Sequence, residues 1–186
     1  MKRRAVVGAA ASRGHRAEGR PTVFDNFHRG LVHVHCELRD DAHQIGLSAA
    51  DIAADAATDT LIAGFCEQLQ NHHKSEDTFF FPAFRAAGRL RSSDVAFLEA
   101  RDAEHVEIHR LCLELRTTGE RHQRGVLATR TWRTSVVELV RDLVAASLPH
   151  FTEEESSLTP EHVATMISSD DLVHVFRDMG ENWNRR

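Results

Sequence analysis

Tyrosine is absent from this 186-residue chain, and proline occurs only four times. Without a phenol, no such side chain can serve as a ligand or a radical relay, which argues against oxidase chemistry that depends on tyrosine. Scarce proline, plentiful aliphatic residues and frequent alanine in the middle of the chain favour an all-helical domain. The three cysteines, Cys36, Cys66 and Cys112, are odd in number, far apart in sequence and form no CxxC pair. Neither a zinc knuckle nor a disulfide framework is supported, and small buried thiols in a reducing cytoplasm are expected. No apolar run approaches the roughly 20 residues needed to span a bilayer. The formal charge of −5, with basic residues scattered except at the two ends, excludes nucleic acid as the main partner.

What the chain does have is histidine, thirteen in all. A domain of this size normally carries only a few, and it is long enough to bury a sizeable core. Residues 1–21 read as a disordered basic tail, because the apolar stretch Ala5–Ala11 is short for an export signal and Arg13, His15 and Arg16 follow it. After Pro21 the sequence becomes periodic. Phe24, Phe27, His28, Leu31, His35 and Leu38 recur at spacings of three and four, the stripe of an amphipathic helix from residue 22 to the mid-40s. A loop is expected within Gly46 to Thr60, with Thr58 and Asp59 capping a second helix that carries Leu61, Phe65, Leu69, His72, Glu76 and Phe80. Pro82 is expected to kink that helix or start its final turn, and Gly88 to end it.

Ser92, Ser93 and Asp94 read as the cap of a third helix bearing Phe97, Leu98, His105, Ile108, His109 and Leu115. Gly119 and Gly125 bracket the next loop. A fourth helix runs from about Thr129 to Ser157, and Pro160 opens a shorter segment with Val163, Met166, Leu172, Val175 and Phe176. The expected organisation is an all-α, up-down four-helix bundle over residues 22–160, with a C-terminal helical extension over 161–186 packing on the same chain.

Two stretches share one signature: His72, Glu76 and Pro82, then His150, Glu154 and Pro160. In each, the glutamate lies one helical turn after the histidine on the same face, and a second acid follows it, Asp77 and Glu155. The spacing that carries His72 to His150 also carries His28 to within one residue of His105, an approximate repeat of a helix pair. The first helix offers His28 and His35, the second His72 with Glu76, the third His105 with His109, the fourth His150 with Glu154. Singly, such residues are ordinary: a lone histidine on an apolar stripe is usually bonded to a neighbour, and HxxxH or HxxxE pairs arise by chance on exposed helices. Four helices contributing at once is the informative coincidence. Facing the core without a metal, about seven polar groups would each cost roughly 1–3 kcal/mol.

Five imidazoles and two carboxylates exceed a tetrahedral zinc site and are too rich in nitrogen for calcium or magnesium. Two transition ions bridged by the carboxylates fit better, with iron the first choice and manganese or zinc as possible substitutes. The order, histidine then glutamate, also differs from the Glu-x-x-His of ferritin-like carboxylate proteins.

In these motifs the chain resembles the hemerythrin-like family, the HHE cation-binding domain. The family's HxxxE(E/D)xxxxP segment matches His72–Glu76–Pro82 and His150–Glu154–Pro160, and its HxxxH matches His105 and His109. The resemblance covers roughly residues 24 to 160. It implies a four-helix bundle around a non-haem di-iron centre. Glu76 and Glu154 would bridge, His105, His109 and His150 would bind one iron, and His72 with a first-helix histidine the other. The internal repeat favours His28 for that last position, and the family's usual spacing favours His35; we take His28 first and His35 second. His73 and Asp77 are expected beside the ligands or at the surface. His33, His43, His122, His162 and His174 are expected on solvated faces. Phe79, Phe80, Phe81, Phe84 and Phe151 are expected mainly in core packing, with some walling a dry pocket.

Such a centre binds small ligands, O2, nitric oxide or peroxide. Three readings remain open: a cytoplasmic binder or sensor of O2 or nitric oxide, a di-iron enzyme that decomposes peroxide or reduces nitric oxide, and a helical interaction module holding zinc or no metal. Metal identity separates the third from the others, and peroxide turnover separates the second from the first. With no second signalling domain in the chain, a stand-alone binder or stress-response protein is expected rather than a multidomain sensor. No membrane partner is expected.

Overall fold

The computed structural model describes residues 20–51 and 56–183, and within them every regular element is helical. The first helix, α1, spans Val23–Asp51. Helix α2, Ala56–Ser75, runs into a single π-helical turn, Glu76–Phe80, and then into the short α3, Phe81–Ala86. Helices α4, Ser92–Gln123, and α5, Thr129–Ser157, follow. The chain ends in α6, Pro160–Met166, and α7, Ser169–Trp183.

Several boundaries differ from the expected ones for local reasons. Helix α1 continues past Gly46 to Asp51, and α2 begins before Thr58 and Asp59, so neither of those residues caps it. Helix α4 is capped by Arg91, whose backbone N–H donates to the Asp94 carboxylate at 2.8 Å, and not by the serines between them. Gly119 is absorbed into α4, while Gly88 and Gly125 adopt φ of 66° and 70°, the left-handed conformation that ends a helix with least strain. The expected single C-terminal helix is broken in two by extended Ile167. Thr159 caps α6 by accepting from the His162 backbone N–H, with Pro160 in the first turn where no N–H is needed. Of the expected N-terminal tail, residues 1–19 lie outside the described residues.

Helix α1 packs on α2 and α5, and α4 packs on the same two. The buried side chains form two apolar clusters. One gathers Leu38, Ile45, Phe65, Leu69, Leu115, Trp132 and Val136. The other gathers Phe27, Phe81, Phe84, Leu98, Leu158, Met166 and Leu172, and it takes in α6 and α7. Histidines lie between the two sets on α1, α2 and α4: His35 between Leu31 and Leu38, His72 and His73 between Leu69 and Phe80, His105 between Leu98 and Leu115. A polar layer therefore sits where the two apolar clusters meet. Cys66 and Cys112 are buried as expected, but Cys36 is exposed.

Candidate metal centre

Two groups of side chains converge in that layer. His35, His72, Glu76 and Glu154 place ligand-capable atoms within 4.8 Å of one another, and so do His73, Glu76, His105 and His150. Glu76 belongs to both. Its Oε1 lies 3.5 Å from His72 Nε2 and its Oε2 lies 3.5 Å from His105 Nε2. Glu154 divides in the same way, with Oε2 3.3 Å from His35 Nε2 and Oε1 3.4 Å from His150 Nε2. Each carboxylate thus turns one oxygen towards each set of imidazoles.

Local structure explains how one turn of α2 supplies so much. His72 and His73 stand four and three residues before Glu76, so both lie one turn back on neighbouring flanks of the helix. At Glu76 the helix widens, and the Phe81 N–H bonds to the Glu76 carbonyl five residues back. Such π-turns recur at functional sites because they shift the side chains that follow. Here Asp77 reaches His105, whose Nδ1–H donates to Oδ1 at 2.8 Å. The proline before His150 lies inside α5, where it leaves a backbone carbonyl without its usual donor.

The outer nitrogens fix the tautomers. His35 Nδ1 donates to Glu155 at 3.1 Å, and Arg39 holds the same carboxylate oxygen at 2.7 Å. His150 Nδ1 donates to Glu104 at 2.8 Å, and buried Arg101 holds the other oxygen of Glu104 at 2.7 Å. With the proton on Nδ1, the Nε2 lone pairs of His35, His105 and His150 point inward, the arrangement that orients a histidine towards a metal. His35 and His72 bring their Nε2 atoms to 2.9 Å from each other.

Inward, the partners run out. Among the described residues, His73 Nε2, His105 Nε2, His150 Nε2 and both carboxylate oxygens of Glu76 and Glu154 are buried without a hydrogen bond. Each orphaned polar atom costs about 1–3 kcal/mol. Together these atoms would offset most of the 5–15 kcal/mol that typically holds a domain folded. Burial pushes the Glu154 carboxyl up to about 8, and burial together with the charge of Glu154 pushes Glu76 well above the usual carboxylate range. Burial drives His35 down to about 3 and His150 to about 2, and holds His72 and His73 well below 6.5. Neutral imidazoles and reluctant carboxylates lack a buried positive charge, and a cation at each group would supply it. The donors fit transition ions: nitrogen and carboxylate oxygen, with no thiolate.

Two residues named from the sequence stand outside the two groups. His28 is outside both groups; its Nδ1 donates to the Leu158 carbonyl at 3.1 Å. Two turns of helix separate it from His35, about 10 Å along the axis. His109 is also outside them, half-buried, with Nε2 3.2 Å from His73 Nδ1. It lies a turn beyond His105 on α4, behind His73. His73 and His109 therefore exchange the expected places, His73 turning its Nε2 inward and His109 standing behind it. The signal for His73 was the histidine doublet itself, since both members lie one turn before Glu76.

Around the layer, Phe151 stacks on His35 with centroids 4.6 Å apart, and Phe81 stacks on His105 at 5.8 Å. Of the histidines expected in solvent, His33, His43 and His174 are exposed. His122 instead stacks on Trp132, and His162 meets Asp94 at 3.1 Å, tying α6 to α4.

The family model described as the hemerythrin HHE cation binding domain matches residues 22–161. The chain belongs to that family. The match spans α1 through α5, which carry every residue of the two groups, and stops as α6 begins. No curated protein and no solved structure matches the chain. The groups of this HHE domain could each hold a metal ion, and no helix among the described residues is long and apolar enough to cross a membrane.

Proposed function

We propose that the chain is a non-haem di-iron protein whose four long helices form an up-and-down bundle around the metal pair. His35 and His72 would serve one iron, and His73, His105 and His150 the other. Glu76 and Glu154 would bridge them, with manganese or zinc as possible substitutes. The observation that carries this reading is the division of the two carboxylates, each turning one oxygen to each imidazole set. A single-ion site gives no reason for that division.

When bound, such an iron pair supplies reversible binding or reduction of O2, nitric oxide or peroxide. The chain's own contribution is geometry and dryness. Glu155, Asp77 and Glu104 hold three imidazoles in the ligating tautomer. Phe151 and Phe81 cover them and exclude water from that side. Binding or sensing of a diatomic in the cytoplasm is the reading we put first.

A second reading, catalysis, is favoured by one observation. A cavity of about 430 Å³ reaches His72 and Glu76, more space than a diatomic needs.

Metal content per chain, measured with the optical spectrum in air after expression with added iron, tests the proposal. Both groups filled with iron, together with near-ultraviolet charge-transfer absorption, is the expected result. A single zinc, or no iron after reconstitution, would refute it. Peroxide turnover by the iron-loaded protein would then move the assignment from binder to enzyme.

A further inference from the structure

We propose that the cavity beside His72 and Glu76 is the binding site for a neutral, mainly apolar organic molecule, and that α7 was added to the HHE domain to build one of its walls. The cavity's role as a substrate or co-ligand site rests on the di-iron reading; its capacity to bind such a molecule does not.

Size is the first observation. The cavity holds about 430 Å³, within the range of pockets that enclose small organic ligands. A diatomic needs about the room of one water, near 30 Å³. Lining chemistry is the second. Phe27, Leu31, Val34 and Leu38 of α1 make one wall, and Phe80 continues it. Among the described residues no lysine, arginine or aspartate lines the cavity, and the one acid is Glu76, which belongs to both groups. A charge on the body of a ligand would lose its hydration and find no partner along these apolar walls. Gln68, Asn71 and Ser75 form a polar row along α2 beside His72 and Glu76, so the polar groups of an occupant are met on the side of the metal groups.

The walls are the third. Phe176 and Met179 of α7 add a further wall, and Phe176 packs edge-on against Phe80 at 5.6 Å. Both residues lie beyond the matched family segment, which ends at residue 161. Met179 gives that wall an adaptable surface. Gly30 lines the cavity from α1, where φ is not positive and a Cβ would meet nothing within 4 Å. Neither backbone conformation nor close packing requires glycine there, and a helix interior disfavours it. Gly30 borders the cavity at its exposed edge, so a bulky side chain there has room to reach across the opening.

Fluorescence titration with N-phenyl-1-naphthylamine, a neutral apolar probe, tests the site on metal-free and iron-loaded protein. Saturable binding of one probe per chain is expected in both. Gly30→Phe and Met179→Trp, which fill the cavity from α1 and from α7, should each weaken it about tenfold or more. Gly30→Ala should bind as the parent does. Helicity and iron content should be unchanged in all three. Absence of saturable binding, or full binding by both filling variants, would overturn the proposal. Protein that takes up no iron yet binds the probe would overturn the di-iron reading alone. In iron-loaded protein the probe should also perturb the iron absorption bands, and an unperturbed spectrum would overturn the link between cavity and centre.

Discussion

The two donor groups share Glu76 but differ in how they are enclosed. The group on the α4 side has three imidazoles, and two of them are braced from behind by Asp77 and Glu104. The group on the α1 side has two imidazoles, and His72 borders the apolar cavity. Ligand number and bracing govern how firmly an ion is held, and access governs what can reach it. On the proposed di-iron reading, the α4 side would hold its ion the more firmly and the α1 side would be the more open to small molecules. Carboxylates that bridged two ions would tie the two sides together.

The largest effect should therefore follow from breaking what the groups share. Glu76→Gln keeps the volume but removes the charge facing both sets, so both ions should be lost together. Metal analysis after gel filtration checks this. Retention of one ion per chain would mean that Glu76 serves a single group.

Next come changes confined to one side. His73→Ala should empty the three-imidazole group preferentially. His109→Ala, which removes only the partner behind His73, should lower metal affinity about 10–100-fold and leave the site fillable at high iron. Competition against a chelator separates the two. If His109→Ala proves the more damaging, the exchange of places between these residues is refuted.

The same pair marks how far the sequence could be read. That His72, Glu76, His105, His150 and Glu154 would turn towards a common layer was legible, because a spacing of four on a helix fixes a shared face regardless of tertiary detail. All-helical architecture was legible from composition and periodicity. His28 against His35 was not, because both lie on one stripe and only the packing of α1 on α5 decides which level meets the centre. His73 against His109 was not, because one residue turns a side chain by about 100°, and no motif records which flank of α2 faces α4. The exposure of Cys36, the contact of His162 with Asp94 and the break at Ile167 depend likewise on contacts between helices distant in sequence.

A smaller effect, seen only in metal-free protein, is set by the buried groups. Glu154 rises from the usual 4.5 to about 8, and Glu76 rises with it. The folded apo protein holds protons there that the unfolded chain releases, so stability falls as pH climbs from 4.5 towards 8. His35, His72, His73 and His150 are shifted the other way, below 6.5. The unfolded chain binds protons that the fold refuses, so stability falls as pH drops below 6.5. Above 6.5 the carboxylates act alone; below it four imidazoles outweigh two carboxylates. Chelator-treated protein should resist urea best near pH 6.5, and metal loading should abolish the decline towards pH 8. A monotonic profile for the apo protein would contradict this balance.

The smallest effect should come from His28, and it sharpens the comparison by being absent from the centre. Its Nδ1–H caps the Leu158 carbonyl at the end of α5, a bond worth about 0.5–1.5 kcal/mol. His28→Ala should lower the melting temperature by about 2–4 °C per kcal/mol lost and leave iron content unchanged. His35→Ala should do the reverse, since it removes a ligand whose burial is costly in the apo protein: iron affinity falls while apo stability holds or improves. Measured side by side, melting curves and iron content give opposite rankings for the two variants if His35 is the ligand from α1. Loss of iron in His28→Ala with retention in His35→Ala would transfer that role two turns back along the helix.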